Sequence, residues 1–93
     1  MVRAYVMIET MVGRARHVAR DAAAIDGVTD VHRVTGPYDL IVRAVAADAA
    51  DLERRVVDGI RSLPGVTRIL ACAANGPGVV TVPDEPALLA SAG

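Results

Sequence analysis

The chain opens on alternation. Val2, Ala4, Val6 and Ile8 fall on one side and Arg3, Tyr5, Met7 and Glu9 on the other, the period-two signature of a strand over 2–9. The period then changes. Ala15, Val18, Ala19, Ala22 and Ile25 recur at three- and four-residue spacings, which makes one apolar face of a helix over 13–25. Asp26-Gly27 supplies a glycine stop for it. Residues 28–34 read as a second strand, and Thr35-Gly36-Pro37-Tyr38 as a turn, since proline fixes φ and glycine supplies unusual dihedrals. A third strand follows over 39–46, with Leu40, Val42, Ala44 and Ala46 on one face. Asp48 is placed to cap a second helix over 49–63, striped by Leu52, Val56, Ile60 and Leu63. Pro64-Gly65 breaks that helix, and residues 66–73 form a fourth strand. Asn75-Gly76-Pro77-Gly78 reads as a loop and 79–82 as a short edge strand. The residues from Pro83 onward read as a tail, with a helical turn at 87–90.

The order is βαββαβ. An internal repeat supports it: Asp26-Gly27-Val28-Thr29 matches Pro64-Gly65-Val66-Thr67 at an offset of 38 positions. The same offset carries Val2, Ala4 and Val6 onto Leu40, Val42 and Ala44, so the inward faces stay in phase. Two βαβ halves with short connections make an α+β, ferredoxin-like fold with a four-stranded antiparallel sheet. Right-handed crossovers put both helices on one face of it. The other face then carries Tyr5, Met7, Ile41, Val45, Ile69 and Ala71, with nothing but a short tail to cover it. An uncovered apolar face of this kind marks a partner surface, and a homodimer through the sheet faces is expected. The domain is expected to span 1–82 and the tail 83–93.

Composition agrees with that division. Of 93 residues 53% are hydrophobic, more than one small core needs, yet only two are aromatic, both tyrosines. Net charge is −1, and all ten basic residues are arginine. Balanced charge argues against binding nucleic acid or anionic membrane by bulk electrostatics, and scarce aromatics argue against base stacking. The single Cys72 makes no internal disulfide. No signal peptide or membrane span is recognisable, so a cytoplasmic protein is expected.

Candidate chemistry is sparse. His17 and His32 stand apart from other ligands at metal spacing and read as solvated, so no metal site is expected. Cys72 reads as a buried, inert thiol. Arg14, Arg16, Arg20, Arg54 and Arg55 lie on solvated helix faces. The glycines after Asn75 lack phosphate-loop spacing, and no cofactor motif is present. Asp39 stands out, because it follows the turn directly and begins an apolar strand. Two roles are open for it. Its carboxylate can accept bonds from turn amides, or it can bind the ammonium group of a small ligand whose carboxylate meets the amides of Thr35 and Gly36.

Residues 28–42, Val-Thr-Asp-Val-His-Arg-Val-Thr-Gly-Pro-Tyr-Asp-Leu-Ile-Val, resemble the central hairpin of the Lrp/AsnC effector-binding domain, also called the RAM domain. Ala4-Tyr5-Val6-Met7-Ile8 fits its first strand, and Leu63-Pro64-Gly65-Val66 with Arg68 fits the approach to its last main strand. The resemblance covers about residues 1–75. It implies a dimer through the sheets, assembling further into tetramers or octamers. It also implies a small effector, commonly an amino acid, bound between neighbouring dimers near the hairpin turn, by Thr35, Gly36, Tyr38 and Asp39. Full-length relatives carry a helix-turn-helix domain ahead of this one. The chain is therefore expected to act as a stand-alone module without direct DNA binding, and to co-assemble with a full-length regulator. The family often has threonines where this chain has Ile69 and Ala71; the lost hydroxyls either argue against the usual polar ligand or point to a more apolar amino acid. Catalysis is not expected. One alternative is a small dimeric barrel enzyme of the monooxygenase type, for which the sheet face offers only Tyr5 and Arg43. Another is a purely structural oligomerisation module.

Overall fold

A computed structural model of the chain describes residues 1–74. The loop, edge strand and tail expected beyond residue 74 lie outside the described residues. Four strands form one antiparallel sheet: β1 (Val2–Thr10), β2 (Val28–Arg33), β3 (Leu40–Ala46) and β4 (Val66–Ala73), in the spatial order β2-β3-β1-β4. Helix α1 (Ala15–Ala23) joins β1 to β2. Helix α2 joins β3 to β4 and consists of Ala49–Asp51, a π-helical stretch Leu52–Val57, and Asp58–Arg61. This is the ferredoxin-like arrangement that the alternation and the repeat imply.

The even-numbered residues of β1 and β3 build the core from the sheet side. Ala4, Val6, Ile8, Leu40, Val42, Ala44 and Ala46 are all buried, and β1 pairs with β3 so that Val6 lies opposite Val42 and Ile8 opposite Leu40. Residues directly opposite in an antiparallel ladder share a face, so these side chains form one sheet of methyl groups. Val18 and Ala22 from α1 and Leu52, Val56, Val57 and Ile60 from α2 close over it.

Several boundaries differ from the sequence expectation. Helix α1 begins at Ala15 and ends at Ala23, so Gly27 does not cap it. Gly27 instead adopts φ +101 at the start of β2, where a Cβ would stand 2.8 Å from the Val45 backbone carbonyl. Only glycine permits that approach. Helix α2 widens in its middle: the Asp58 N–H donates to the Glu53 carbonyl, five residues back. A regular helix would centre its apolar stripe on Leu52, Val56 and Ile60 and leave Val57 at the margin. The wider π turn also brings in Val57, five residues after Leu52, and all four are buried. The expected cap holds: Asp48 Oδ1 accepts the Asp51 N–H at 2.8 Å, and Asp51 Oδ2 accepts the Ala47 N–H at 2.9 Å.

The phase of β4 requires a correction. Ile69 and Ala71 were expected on the uncovered face, but Ile69 lies opposite Ile8 and Ala71 opposite Val6, which puts both on the helix side. The cause is a bulge. Glu9 pairs with Arg68 and Thr10 with Val66, so Thr67 is an extra residue in β4. Val66 and Ile69, three positions apart, therefore both pack against the core. Leu70 and Cys72 take the uncovered face, opposite Met7 and Tyr5, so Cys72 is exposed rather than buried as expected. The repeat reproduces the device. Thr29 is the extra residue where β2 meets β3, and its hydroxyl donates to the Arg43 carbonyl at 3.1 Å. The Thr67 hydroxyl donates to the Glu9 carbonyl, also at 3.1 Å.

Candidate functional site: the hairpin turn and the uncovered sheet face

The sheet face away from the helices carries Tyr5, Met7, Ile41, Val45 and Leu70. No described element packs over it, and Tyr5 and Leu70 remain 43% and 45% exposed. Polar groups frame the apolar centre at one edge. Arg43 donates to Asp30 Oδ2 at 3.2 Å, and His32 Nε2 approaches Asp30 Oδ1 at 3.0 Å without forming an aligned hydrogen bond. His32 thus stands beside a carboxylate while remaining mostly exposed, as expected of a solvated histidine. At the other edge the Arg68 guanidinium lies 5.0 Å from the centre of the Tyr38 ring and 3.4 Å from Glu9 Oε2. That stacking ties the hairpin turn to β4 across the strand between them.

The four turn residues do not converge on one hollow. Thr35, Gly36 and Tyr38 line a hollow of about 340 Å³ on the uncovered face, together with Met7, Val34, Pro37 and Ile41. Asp39 lines a different one of about 500 Å³, with Thr10, Met11, Val12, Gly13, Ala15, Arg16 and Arg33. The reason lies at the start of β3. The Asp39 N–H donates to the Ile8 carbonyl at 2.9 Å, and the Asp39 carbonyl accepts the Val34 N–H at 2.9 Å. The Asp39 backbone is thereby fixed between β1 and β2. Its carboxylate reaches the end of β1, where Oδ2 accepts the Thr10 N–H at 2.8 Å and the Thr10 hydroxyl at 3.2 Å. The carboxylate takes the place of a strand carbonyl that β3 no longer provides. Neither the Thr35 nor the Gly36 amide bonds to it, contrary to one of the two roles open from sequence.

The Asp39 hollow holds two arginines that the sequence did not single out as a pair. Arg33 ends β2, in phase with the inward Val31, and that phase was the available signal. Arg16 sits in the first turn of α1, which the loop after β1 brings alongside. Among the described residues no three His, Cys, Asp or Glu side chains gather into a metal-binding group. No described helix is long and apolar enough to cross a membrane.

A four-stranded antiparallel sheet with two helices on one face, an uncovered second face and hollows at a Thr-Gly-Pro-Tyr-Asp turn together define a small ligand-binding α+β module. Residues 3–73 match the family described as the Lrp/AsnC ligand binding domain, and the chain belongs to that family. The protein TTHA0845 from Thermus thermophilus is 32% identical with a TM-score of 0.79; the match covers 86% of this chain and all of that one. An uncharacterised HTH-type transcriptional regulator of Pyrococcus horikoshii is 41% identical over 51 residues, 55% of this chain. That match spans 34% of the regulator's length. The fold is shared with a Neisseria meningitidis transcriptional regulator solved as a complex with L-Met, at 20% identity and a TM-score of 0.72 over 86% of this chain and 53% of that one.

Proposed function

We propose that the chain is a cytoplasmic effector-binding and assembly module, which pairs through its uncovered sheet face and senses a small amino acid beside the hairpin turn. The apolar face is the observation that carries this reading. Four strands about 4.8 Å apart and seven residues deep at about 3.4 Å each give a face about 19 by 24 Å. Taken flat that is about 460 Å², somewhat over half of the roughly 800 Å² per partner of a standard interface, and side-chain relief adds to it. Tyr5, Met7, Ile41, Val45 and Leu70 supply its apolar centre. Arg43 with Asp30 and Arg68 with Glu9 supply a polar rim, the usual anatomy of such a patch. Ile69 and Ala71 are left out of the proposed interface because of their side of the sheet.

The effector sits at the turn, where Asp39 lines one hollow and Thr35, Gly36 and Tyr38 the other. It acts by binding one assembly state more tightly than another, and this changes the partners the module offers to a transcription regulator. The L-Met bound to the meningococcal regulator supports an amino acid as the ligand class. The domain is proposed to occupy 1–82. The test is a melting-temperature screen against the twenty amino acids, with light scattering on each mixture. At least one amino acid is expected to raise the melting temperature and shift the mass distribution. A screen with no change in either quantity refutes the sensing role.

A further inference from the structure

Asp39 uses only one of its two carboxylate oxygens. Oδ2 takes both contacts from Thr10, whereas Oδ1 receives no hydrogen bond among the described residues. The hollow it lines also holds Arg16 and Arg33. Neither guanidinium has a carboxylate within 4.0 Å among the described residues; the same holds for Arg3, Arg14, Arg20 and Arg54, but only Arg16 and Arg33 line this hollow with Asp39. The hollow, about 500 Å³, falls within the roughly 300–1,000 Å³ of small-molecule sites. Its charged groups are therefore two uncommitted cations and one half-committed anion. The first turn of α1 adds no counter-charge, since it contains no acidic residue and has no side-chain cap.

We propose that this hollow selects an acidic α-amino acid. The inference rests on the effector-binding reading and names the ligand class and the residues that discriminate. The ligand's ammonium donates to Asp39 Oδ1. Its two carboxylates meet Arg33 and Arg16. Group for group, one ammonium and two carboxylates complement one carboxylate and two guanidiniums. Guanidinium–carboxylate bonds are the strong, directional kind, so each arginine contributes to affinity and to selection. A neutral amino acid leaves one guanidinium without a counter-charge. A basic amino acid adds a third cation and is rejected. Thr10 matters indirectly, since its N–H and hydroxyl hold Oδ2 and thereby aim Oδ1.

Calorimetric titration of the full chain with L-aspartate, L-glutamate, L-asparagine, L-glutamine, L-leucine and L-lysine tests this. Arg16→Gln and Arg33→Gln are the informative variants, because both side chains are exposed and unpaired and their loss leaves the melting temperature near that of the wild type. Aspartate or glutamate is expected to bind best. Each arginine variant is expected to weaken that binding about tenfold or more, as the loss of a charge-assisted bond does. Asparagine or glutamine should bind about as weakly to the wild type as the acidic ligand does to a variant. If a neutral amino acid binds the wild type best and both variants leave its Kd unchanged, this inference is overturned and the effector reading stands. If none of the six binds and the twenty-amino-acid screen is also silent, the effector reading falls and takes this inference with it.

Discussion

Replacing Asp39 with alanine tests the most specific polar contact in the fold. The carboxylate accepts the half-buried Thr10 N–H at 2.8 Å, at the point where the β1–β3 ladder ends. Alanine leaves that N–H without its acceptor. A hydrogen bond to a charged group contributes about 1.5–3 kcal/mol net, and partial solvation of this site favours the low end, about 1.5 kcal/mol. In a domain of this size each kcal/mol moves the melting temperature by about 4–8 °C, so Asp39→Ala should lower it by about 6–12 °C. Asp39→Asn keeps an oxygen acceptor for the N–H and loses only the charge, so its loss should be about half as large. Thr10→Val removes only the 3.2 Å hydroxyl contact and keeps the shorter amide bond, so it should cost least of the three. The assay is ligand-free thermal unfolding by circular dichroism at one protein concentration, since self-association makes the midpoint concentration-dependent. An Asp39→Ala midpoint within about 2 °C of the wild type would refute the reasoning, since a lost charged acceptor must shift the midpoint by more than that. So would an asparagine variant as damaged as the alanine one, because the role assigned here is that of an acceptor.

Other variants check the packing. Gly27→Ala must place a Cβ against the Val45 carbonyl, whereas Gly13→Ala meets nothing within 4 Å at a similar positive φ. Both lose about 1–3 kcal/mol for the backbone, and the excess for Gly27 in urea titration measures the clash. Ile8→Ala, at a fully buried position opposite Leu40, should lower stability by about 2–5 kcal/mol in the same titration. The corrected phase of β4 separates two neighbours. Ile69→Asp buries a charge against the core and should lower the melting temperature sharply, while Leu70→Asp on the other face should leave the circular dichroism spectrum of the fold intact. Equal damage from both would contradict the bulge at Thr67.

The strands and helices were legible from their periods and from the internal repeat. In β1 Arg3 and Tyr5 separate Val2, Ala4 and Val6; Leu40 to Ala46 is apolar everywhere but at Arg43 and takes its phase from the 38-position offset, and the Gly-Val-Thr repeat marks where β2 and β4 begin. The bulge at Thr67 was not legible. After Arg68 the residues Ile69 to Ala73 are all apolar, so no alternation marks a face, and only the pairing with β1, set by residues far back in the chain, decides which set faces the helices. The π turn in α2 was hidden for a related reason. Val57 lies at the margin of the Leu52, Val56 and Ile60 stripe, three residues before Ile60, so local spacing does not announce its full burial. The turn residues were found, but their division between two hollows was not. Asp39 is aimed by Thr10, 29 positions earlier in the chain. Sequence spacing within the turn carries no information about that contact. Arg33 was within reach, since it continues the inward phase of Val31, but a charged residue at a strand end reads by default as solvated.

The account rests most heavily on the uncovered face of the sheet. Sedimentation equilibrium at micromolar concentrations, on the wild type and on Leu70→Asp, tests it directly. The account predicts a wild-type mass of at least twice the 9.7 kDa chain, and a Leu70→Asp variant that is folded but reduced to one chain. A monomeric wild type, or an assembly that the aspartate at position 70 leaves unchanged, would contradict it.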